Sequence, residues 1–159
     1  MVLKTRMMKI NSLMGILVSC MLFVQCDSPH FYQNQVSTQN NWDKNAAASF
    51  EFEVKDTVGR YNFYLVTRNN NEYPYSNIYL FTRMTDPKGE VFIDTLQYFL
   101  AFQDGEWVGT GSSLKEAYLV YREKVALKDT GKYKLQVWHG MRDDKLIGIE
   151  DISLIVDKK

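Results

Sequence analysis

Cysteine, proline and histidine are scarce in this sequence of 159 residues, with two, three and two copies respectively. Both cysteines, Cys20 and Cys26, lie near the N-terminus, so the long segment that follows cannot form an internal disulfide and needs an apolar core for stability. Basic and acidic residues balance at 19 each. The chain therefore has no positive excess that would attract a phosphate backbone, and we expect no nucleic-acid partner.

The sequence also lacks the run of about 20 apolar residues that a membrane-spanning helix needs. Its beginning has the layout of an export signal instead, because Lys4, Arg6 and Lys9 precede a largely apolar stretch over residues 10–24. A cysteine at the end of such a stretch is typical of bacterial lipoproteins. In these proteins the signal is cleaved before a cysteine that carries diacylglycerol and an N-acyl chain.

Two cysteines compete for the lipid. The small Ser19 precedes Cys20, but cleavage there would shorten the apolar segment and leave an apolar N-terminus. Cleavage before Cys26 keeps that segment whole and starts the mature chain with polar, turn-forming residues, although Gln25 is large for its position. We therefore predict a lipoprotein signal peptide over residues 1–25 and a lipid on Cys26. Removing this signal takes away three basic and no acidic residues, which leaves the mature chain mildly acidic.

The remaining sequence predicts a tether followed by one folded domain. Residues 26–45 are rich in Gln, Asn, Ser and Thr, and we interpret them as the lipidated N-terminus and its tether, within which residues 31–36 could form a short edge strand. We assign residues 46–159 to the domain.

Alternation of apolar and polar residues dominates this domain. Phe50, Phe52 and Val54 share one face of a strand, and similar patterns recur up to the C-terminus. Residues 78–85 are apolar on both faces, which predicts a central strand, and the Asp-Pro-Lys-Gly turn at residues 86–89 connects them to the next strand. The sequence predicts an all-β protein: an antiparallel β-sandwich of immunoglobulin-like or jelly-roll type with about seven to eight strands. A closed barrel is the alternative.

Chemistry-bearing clusters are sparse. His139 precedes a loop that contains Asp143 and Asp144, so a hydrolase built around this histidine is one hypothesis. A structural role at a strand end is the commoner case. The sequence contains no serine in a nucleophile-elbow pattern and no spacing typical of metal ligands. We expect no enzyme activity, no metal and no cofactor other than the covalent lipid.

Two loops combine aromatic and polar residues in a way that suits either structure or binding. Residues 68–77 are rich in Asn and Tyr, and residues 104–111 are rich in Gly around one Trp. Such residues can close the edge of a sandwich, or they can contact a partner, since loops on a rigid scaffold often carry binding. The candidate interaction surface comprises Arg68, Asn69, Tyr73, Tyr75, Asn77, Trp107, His139 and Arg142. A carbohydrate-binding module, with Tyr73, Tyr75 and Trp107 as sugar platforms, is the alternative function.

The same segments resemble the gliding motility lipoprotein GldH family. Residues 68–77 follow its R-N-x-N-x-Y-P-Y-S-N motif, and residues 104–111 follow D-G-x-W-x-G-x-G. Shorter matches continue in order through residues 139–142 and 148–154, so the similarity covers nearly the whole mature chain. Gly140 and Gln25 depart from the family pattern.

The resemblance implies a lipoprotein of the outer membrane of Bacteroidota. Its expected role is that of a non-catalytic component of the gliding machinery and the associated type IX secretion apparatus, with other envelope proteins as partners. The residues after Cys26 contain no acidic run of the kind that directs such lipoproteins to the cell surface. We therefore expect the protein to face the periplasm.

Overall fold

The structure, a computed structural model, describes residues 30–159. The predicted signal peptide, Cys20 and Cys26 lie outside the described residues. The described part contains ten β-strands and no helix. The strands are β1 (Tyr32–Ser37), β2 (Asn41–Asp43), β3 (Ala48–Val54), β4 (Tyr61–Asn69), β5 (Asn77–Thr85), β6 (Val91–Phe99), β7 (Lys115–Val125), β8 (Gly131–His139), β9 (Lys145–Ile147) and β10 (Ile149–Lys158).

Two four-stranded antiparallel sheets pack against each other. One has the strand order β1-β10-β4-β7 and the other the order β3-β8-β5-β6, while β2 and β9 form a small separate ladder. Strands with one apolar face must bury that face, and a second sheet is the simplest cover. The predicted all-β sandwich is confirmed.

The core forms where the alternating apolar residues of the two sheets meet. In β3, Phe50, Phe52 and Val54 are buried while the intervening residues are exposed. The ring of Phe52 stacks on Tyr133 of the neighbouring β8, with centroids 5.5 Å apart, and lies 5.8 Å from Phe63 of the opposite sheet. The contact between Phe52 and Phe63 connects the two sheets.

The structure contains more strands than the seven to eight predicted from the sequence. The additional elements are β2 and β9, each of three residues, which pair antiparallel with each other. Their central residues, Trp42 and Leu146, are both buried in the core. A segment of three residues is too short to show a period, so only the pairing reveals these strands.

The edge strand expected over residues 31–36 is present as β1, and both β1 and β2 lie within the residues 26–45 that we interpreted as the tether. β1 pairs with β10 over its whole length, from Tyr32 opposite Val156 to Ser37 opposite Asp151. Tyr32 and Val36 pack against the core, and the polar residues between them face solvent. An edge strand with one polar face has the composition of a tether, which explains the longer assignment.

Candidate interaction surface

The loop that follows β4 is organised by aromatic residues. Tyr73 is only 3% exposed, and its hydroxyl donates a hydrogen bond of 2.8 Å to the backbone carbonyl of Asn77. Its ring lies 5.8 Å from that of Tyr75 and 6.4 Å from that of Trp107, measured between centroids. Burial raises the pKa of the Tyr73 phenol well above its usual range. This side chain therefore anchors the loop to the core.

Arg68 and Asn69 lie at the end of β4 and face neighbouring strands. The Arg68 guanidinium binds the carboxylate of Asp151 in β10, with Nε 2.9 Å from each oxygen and Nη2 2.5 Å from Oδ2. This charge-assisted pairing, together with the nearby charges, raises the pKa of Arg68. Asn69 is buried, and its amide donates to the carbonyl of Asn70.

Asn40 joins the turn between β1 and β2 to this loop. Its side-chain oxygen accepts hydrogen bonds from the Asn70 amide, at 3.1 Å, and from the backbone N–H of Gly148, at 2.7 Å. Its own amide donates to the Glu72 carboxylate at 2.7 Å. Asn40 has a φ of 55°, a left-handed conformation that Asn tolerates well. Asn40 was not among the residues predicted from the sequence, although Asn after a polar strand is a recognisable turn signal.

Tyr75 and Arg142 are the members of the predicted surface nearest to solvent on this side. The Tyr75 hydroxyl donates a hydrogen bond of 2.6 Å to Asp143, and this bond raises the pKa of the tyrosine. Arg142 is exposed in the same β8–β9 loop. A shallow polar depression lies between the two loops and is lined by Glu72, Pro74, Arg142, Asp143, Asp144, Lys145 and Ile147.

His139 is 2% exposed and lies beneath Trp42. The ring centroids are 5.4 Å apart, and Nε2 is 2.9 Å from the backbone carbonyl of Trp42, to which the neutral imidazole donates its hydrogen bond. Nδ1 has no partner among residues 30–159. Burial lowers the pKa of this histidine, against the smaller opposing effect of the hydrogen bond. The neutral ring therefore acts as a packed strand-end residue.

The structure thus separates the eight predicted surface residues by exposure. It brings Tyr73, Tyr75 and Trp107 into one aromatic cluster, with the Asn77 backbone bound to it. Three of the eight, Asn69, Tyr73 and His139, are buried, which corrects their assignment to the surface and removes Tyr73 as an open sugar platform. Arg142 is exposed, and the partly exposed members are Arg68, Tyr75, Asn77 and Trp107.

A larger apolar surface lies on the outside of the sheet β3-β8-β5-β6. Phe81 of β5 stands opposite Trp138 of β8, and its ring covers Gly140, where an added Cβ would approach within 2.9 Å. Phe81 is 45% exposed and Ile93 of β6 is 66% exposed. We call this surface the outer apolar face, and it comprises Tyr79, Phe81, Val91, Ile93, Phe99 and Trp138.

The central position predicted for residues 78–85 is confirmed, because β5 is an inner strand of its sheet. The residues of β5 alternate in exposure, with Ile78, Leu80 and Met84 buried and Tyr79 and Phe81 exposed. One apolar face of β5 therefore packs against the other sheet, and the other contributes to the outer apolar face.

Residues 30–159 contain no group of three or more His, Cys, Asp and Glu side chains placed to hold a metal ion. This part of the chain also contains no helix of the length and hydropathy required to cross a membrane.

Comparison with known proteins identifies the family. The family model described as GldH lipoprotein matches residues 30–156. This chain belongs to the GldH lipoprotein family. It is 35% identical over 145 residues to the gliding motility lipoprotein GldH homolog of Christiangramia forsetii, covering 86% of this chain and 89% of that protein. It is 32% identical over 152 residues to the gliding motility lipoprotein GldH of Flavobacterium johnsoniae, covering 94% of each.

The family resemblance predicted from the sequence is therefore confirmed, and the chain is a gliding motility lipoprotein. Similarity to solved structures is weaker. Latent PorU from Porphyromonas gingivalis superposes with a TM-score of 0.31 at 8% identity, over 81% of this chain and 13% of that one. A carbohydrate-binding module of the β-sandwich superfamily gives a TM-score of 0.33 at 12% identity, over 79% and 51%. Superpositions this partial carry no functional argument.

Proposed function

We propose that this GldH-family lipoprotein is held at the outer membrane by a lipid on Cys26, faces the periplasm, and acts as a non-catalytic component of the gliding and type IX secretion machinery. It acts by binding other envelope proteins. The observation that carries the proposal is the outer apolar face, because its six apolar residues lie on the solvent side of one sheet, with Arg83, Thr95 and Gln97 among them. Contiguous apolar patches of this kind on soluble domains mark contact sites for other proteins.

The position of the first described residues supports close anchoring. His30 Nδ1 lies 2.6 Å from Asp157 at the end of β10, so the chain enters the domain at this end. Cys26 lies four positions before His30 in the sequence, and an extended chain spans at most about 3.6 Å per position, or roughly 14 Å in all. The domain then lies close to the membrane surface, within reach of neighbouring envelope proteins.

The absence of catalysis is part of the proposal, and the environment of His139 supports it. The imidazole is buried under Trp42, with Nε2 committed to a backbone carbonyl. A general base must reach the proton that it abstracts from a substrate. His139 would need to leave the core to do so.

Site-specific photocrosslinking in intact cells tests the proposed role. A probe at Phe81 is expected to capture a component of the gliding or secretion machinery, identified by mass spectrometry. A matched probe at the exposed Glu51, on the outside of β3 in the same sheet, is expected to give no such product. Equal products from both positions would contradict a role for the outer apolar face.

A variant separates binding from folding. Phe81→Glu places a charge on the outer apolar face without entering the core, so the protein is expected to accumulate normally. Colony spreading and secretion are then expected to fall together with the crosslink. Normal spreading and secretion in this variant, at a normal protein level, would contradict the proposal.

The anchor and its orientation require separate measurements. Incorporation of a palmitate analogue is expected in the parent chain and in Cys20→Ala but not in Cys26→Ala. Protease added to intact cells is expected to leave the protein whole until the outer membrane is permeabilised. Digestion in intact cells would place the domain on the cell surface instead.

A further inference from the structure

We propose that two copies of this lipoprotein pair edge to edge through β6, as antiparallel strands related by a twofold axis at Thr95. The inference concerns the edge of the sheet and is independent of the proposed function, which uses its outer face. Within residues 30–159, β6 pairs with β5 on one side, and no other strand pairs with its second side from Val91 to Phe99. Beyond Phe99 the chain folds back, and the Val108 N–H donates to the Leu100 carbonyl on that second side. This edge is regular, its backbone groups point outward, and its sequence is self-complementary.

β6 differs from the other three edge strands of the sandwich. β1 has six residues and a polar centre, and β3 presents Glu51 and Glu53 outward. β7 shows register shifts against β4, and Lys124 in it has a φ of 54°. Short polar strands, outward charges and bulges are the devices that protect a sheet edge from pairing.

β6 has none of these protective devices. Its nine residues contain no proline, and its pairing with β5 runs without a shift from Asn77 opposite Phe99 to Thr85 opposite Val91. Asp94 is its one charged residue, and that carboxylate is bound by Arg122 at 2.5 Å and by the Tyr121 hydroxyl at 3.0 Å. An edge that is long, regular and without a free charge is a template for a further strand.

The hydrogen bonds around β5 determine which groups of β6 point outward. The backbone carbonyl of Tyr79 accepts a hydrogen bond of 2.7 Å from the N–H of Gly140. The backbone N–H and C=O groups of the odd-numbered residues of β5 therefore point toward β8. The N–H of Leu100 donates a hydrogen bond of 2.8 Å to the backbone carbonyl of Ser76. The backbone groups of the even-numbered residues of β5 and β6 therefore point toward each other. The N–H and C=O groups of the odd-numbered residues of β6 therefore point to the open edge. These residues are Val91, Ile93, Thr95, Gln97 and Phe99.

The sequence of β6 selects one register for a second copy. With Thr95 on the axis, Ile93 stands opposite Gln97 of the second copy, all nine residues overlap, and every outward backbone group has a partner, giving about ten hydrogen bonds. Asp94 then faces Leu96 of the second copy. Moving the axis to Asp94 would place two carboxylates opposite each other, which is unfavourable.

Side chains on both faces are compatible with this register. On the inner face Phe92, which is 43% exposed, meets Tyr98 of the second copy. On the outer face Val91 meets Phe99 of the second copy, so the two outer apolar faces become one continuous surface. Aromatic and aliphatic cross-strand pairs of this type stabilise sheets in known proteins.

An interface formed by one pair of strands buries less surface than the roughly 1,600 Å² that is typical of stable complexes. The pair is therefore expected to be weak in solution. Anchoring of both copies in one membrane supplies the high local concentration that a weak contact needs. The experiment for this reason uses the full-length lipoprotein in intact cells.

Crosslinking from the axis tests the pairing directly. In Thr95→Cys the two introduced thiols lie opposite each other, and a short bismaleimide is expected to yield a covalent dimer on a denaturing gel. Gln35→Cys, at the exposed edge β1, and the parent chain serve as controls and are expected to remain monomeric. A Thr95→Cys product no stronger than that of the controls would overturn the proposal.

A charge pair tests the register. In the Thr95→Cys background, Ile93→Lys with Gln97→Lys places like charges opposite each other at two positions, and the dimer is expected to fall about tenfold. Ile93→Lys with Gln97→Glu places opposite charges there and is expected to restore it. Both variants change the same exposed positions, and equal protein levels in the membrane confirm that both fold.

Two further outcomes would overturn the inference. Equal crosslinking of the Lys/Lys and Lys/Glu variants would exclude the proposed register. Capture of a different envelope protein by the Thr95 thiol, without any dimer of this chain, would assign the β6 edge to a heterologous strand.

Discussion

Arg68 and Asp151 face each other across the β4–β10 ladder, and the guanidinium contacts both oxygens of a carboxylate that is almost fully buried. A carboxylate removed from water needs a partner of opposite charge, and breaking such a pair from one side is costly. Arg68 belongs to the loop motif that the sequence analysis assigned to a binding surface. Its contacts show that it compensates a buried charge.

Replacing Arg68 by Met is expected to destabilise the fold by about 3 kcal/mol, because the Asp151 carboxylate would remain buried without its partner. The double variant Arg68→Met with Asp151→Asn is expected to recover part of this loss. Urea unfolding of the three proteins measures it. A single variant as stable as the parent would show that solvent compensates the carboxylate.

Asn40→Asp is expected to lower the free energy of unfolding by about 2 kcal/mol. The substitution keeps the size and the left-handed backbone preference, but it removes the amide donor to Glu72 and adds a carboxylate beside Glu72. Asn41→Asp, at the exposed neighbouring position, is the matched control and is expected to change stability little. Comparable losses in both variants would assign the effect to overall charge.

Gly148→Ala is expected to cost at least about 3 kcal/mol or to prevent folding. Gly148 has a φ of +89°, and an added Cβ would approach the backbone of Tyr73 within 2.3 Å. Gly105 has a similar φ of +87° but no neighbouring atom within 4 Å of the added Cβ. Gly105→Ala is therefore expected to show only the backbone strain of about 1 kcal/mol. Equal thermal shifts in the two variants would argue that the contact with Tyr73 relaxes freely.

The protein is expected to become less stable as the pH falls, because its unfolded state protonates His139 more readily than its folded state. Burial lowers the pKa of the folded imidazole, whereas the unfolded side chain has the ordinary value of about 6.5. The unfolded chain therefore binds more protons just below pH 6.5. The contribution is complete above that pH and is lost as the pH falls, by at most about 1.4 kcal/mol per pH unit.

Urea midpoints between pH 5 and pH 7.5 measure this dependence. His139→Gln is expected to lack the His139 component, and His30→Gln, which leaves the buried ring in place, is expected to retain it. A pH dependence that disappears in His30→Gln and persists in His139→Gln would reverse the assignment.

Much of the core could be predicted from the sequence because it follows from alternation within single strands. The residues Phe50, Phe52 and Val54 were expected on one face of β3, and all three are buried. The family motif likewise spans contiguous residues, so it was readable without a structure. The short ladder of β2 and β9 could not be predicted from the sequence, because each of these strands is defined only by its pairing with a segment far along the chain.

The exposure of the candidate site residues was poorly predicted from the sequence. Tyr73 and His139 were chosen because aromatic and titratable residues in loops often bind ligands, yet both are buried. Phe81 and Ile93 were not chosen, since apolar residues in strands are usually core residues. The local pattern cannot distinguish a face that a second sheet covers from one that it leaves open.

The lipoprotein family, the β-sandwich class and the inward face of the clearest strands follow from the amino-acid order, since they depend on local motifs and on periodicity along one strand. The tertiary structure was needed to establish which apolar faces are covered and which sheet edges remain open. It ends the tether early by pairing β1 with β10, buries Tyr73 and His139, and leaves Phe81, Ile93 and the edge of β6 in solvent. Exposure is a property of packing between distant segments, and no single segment encodes it.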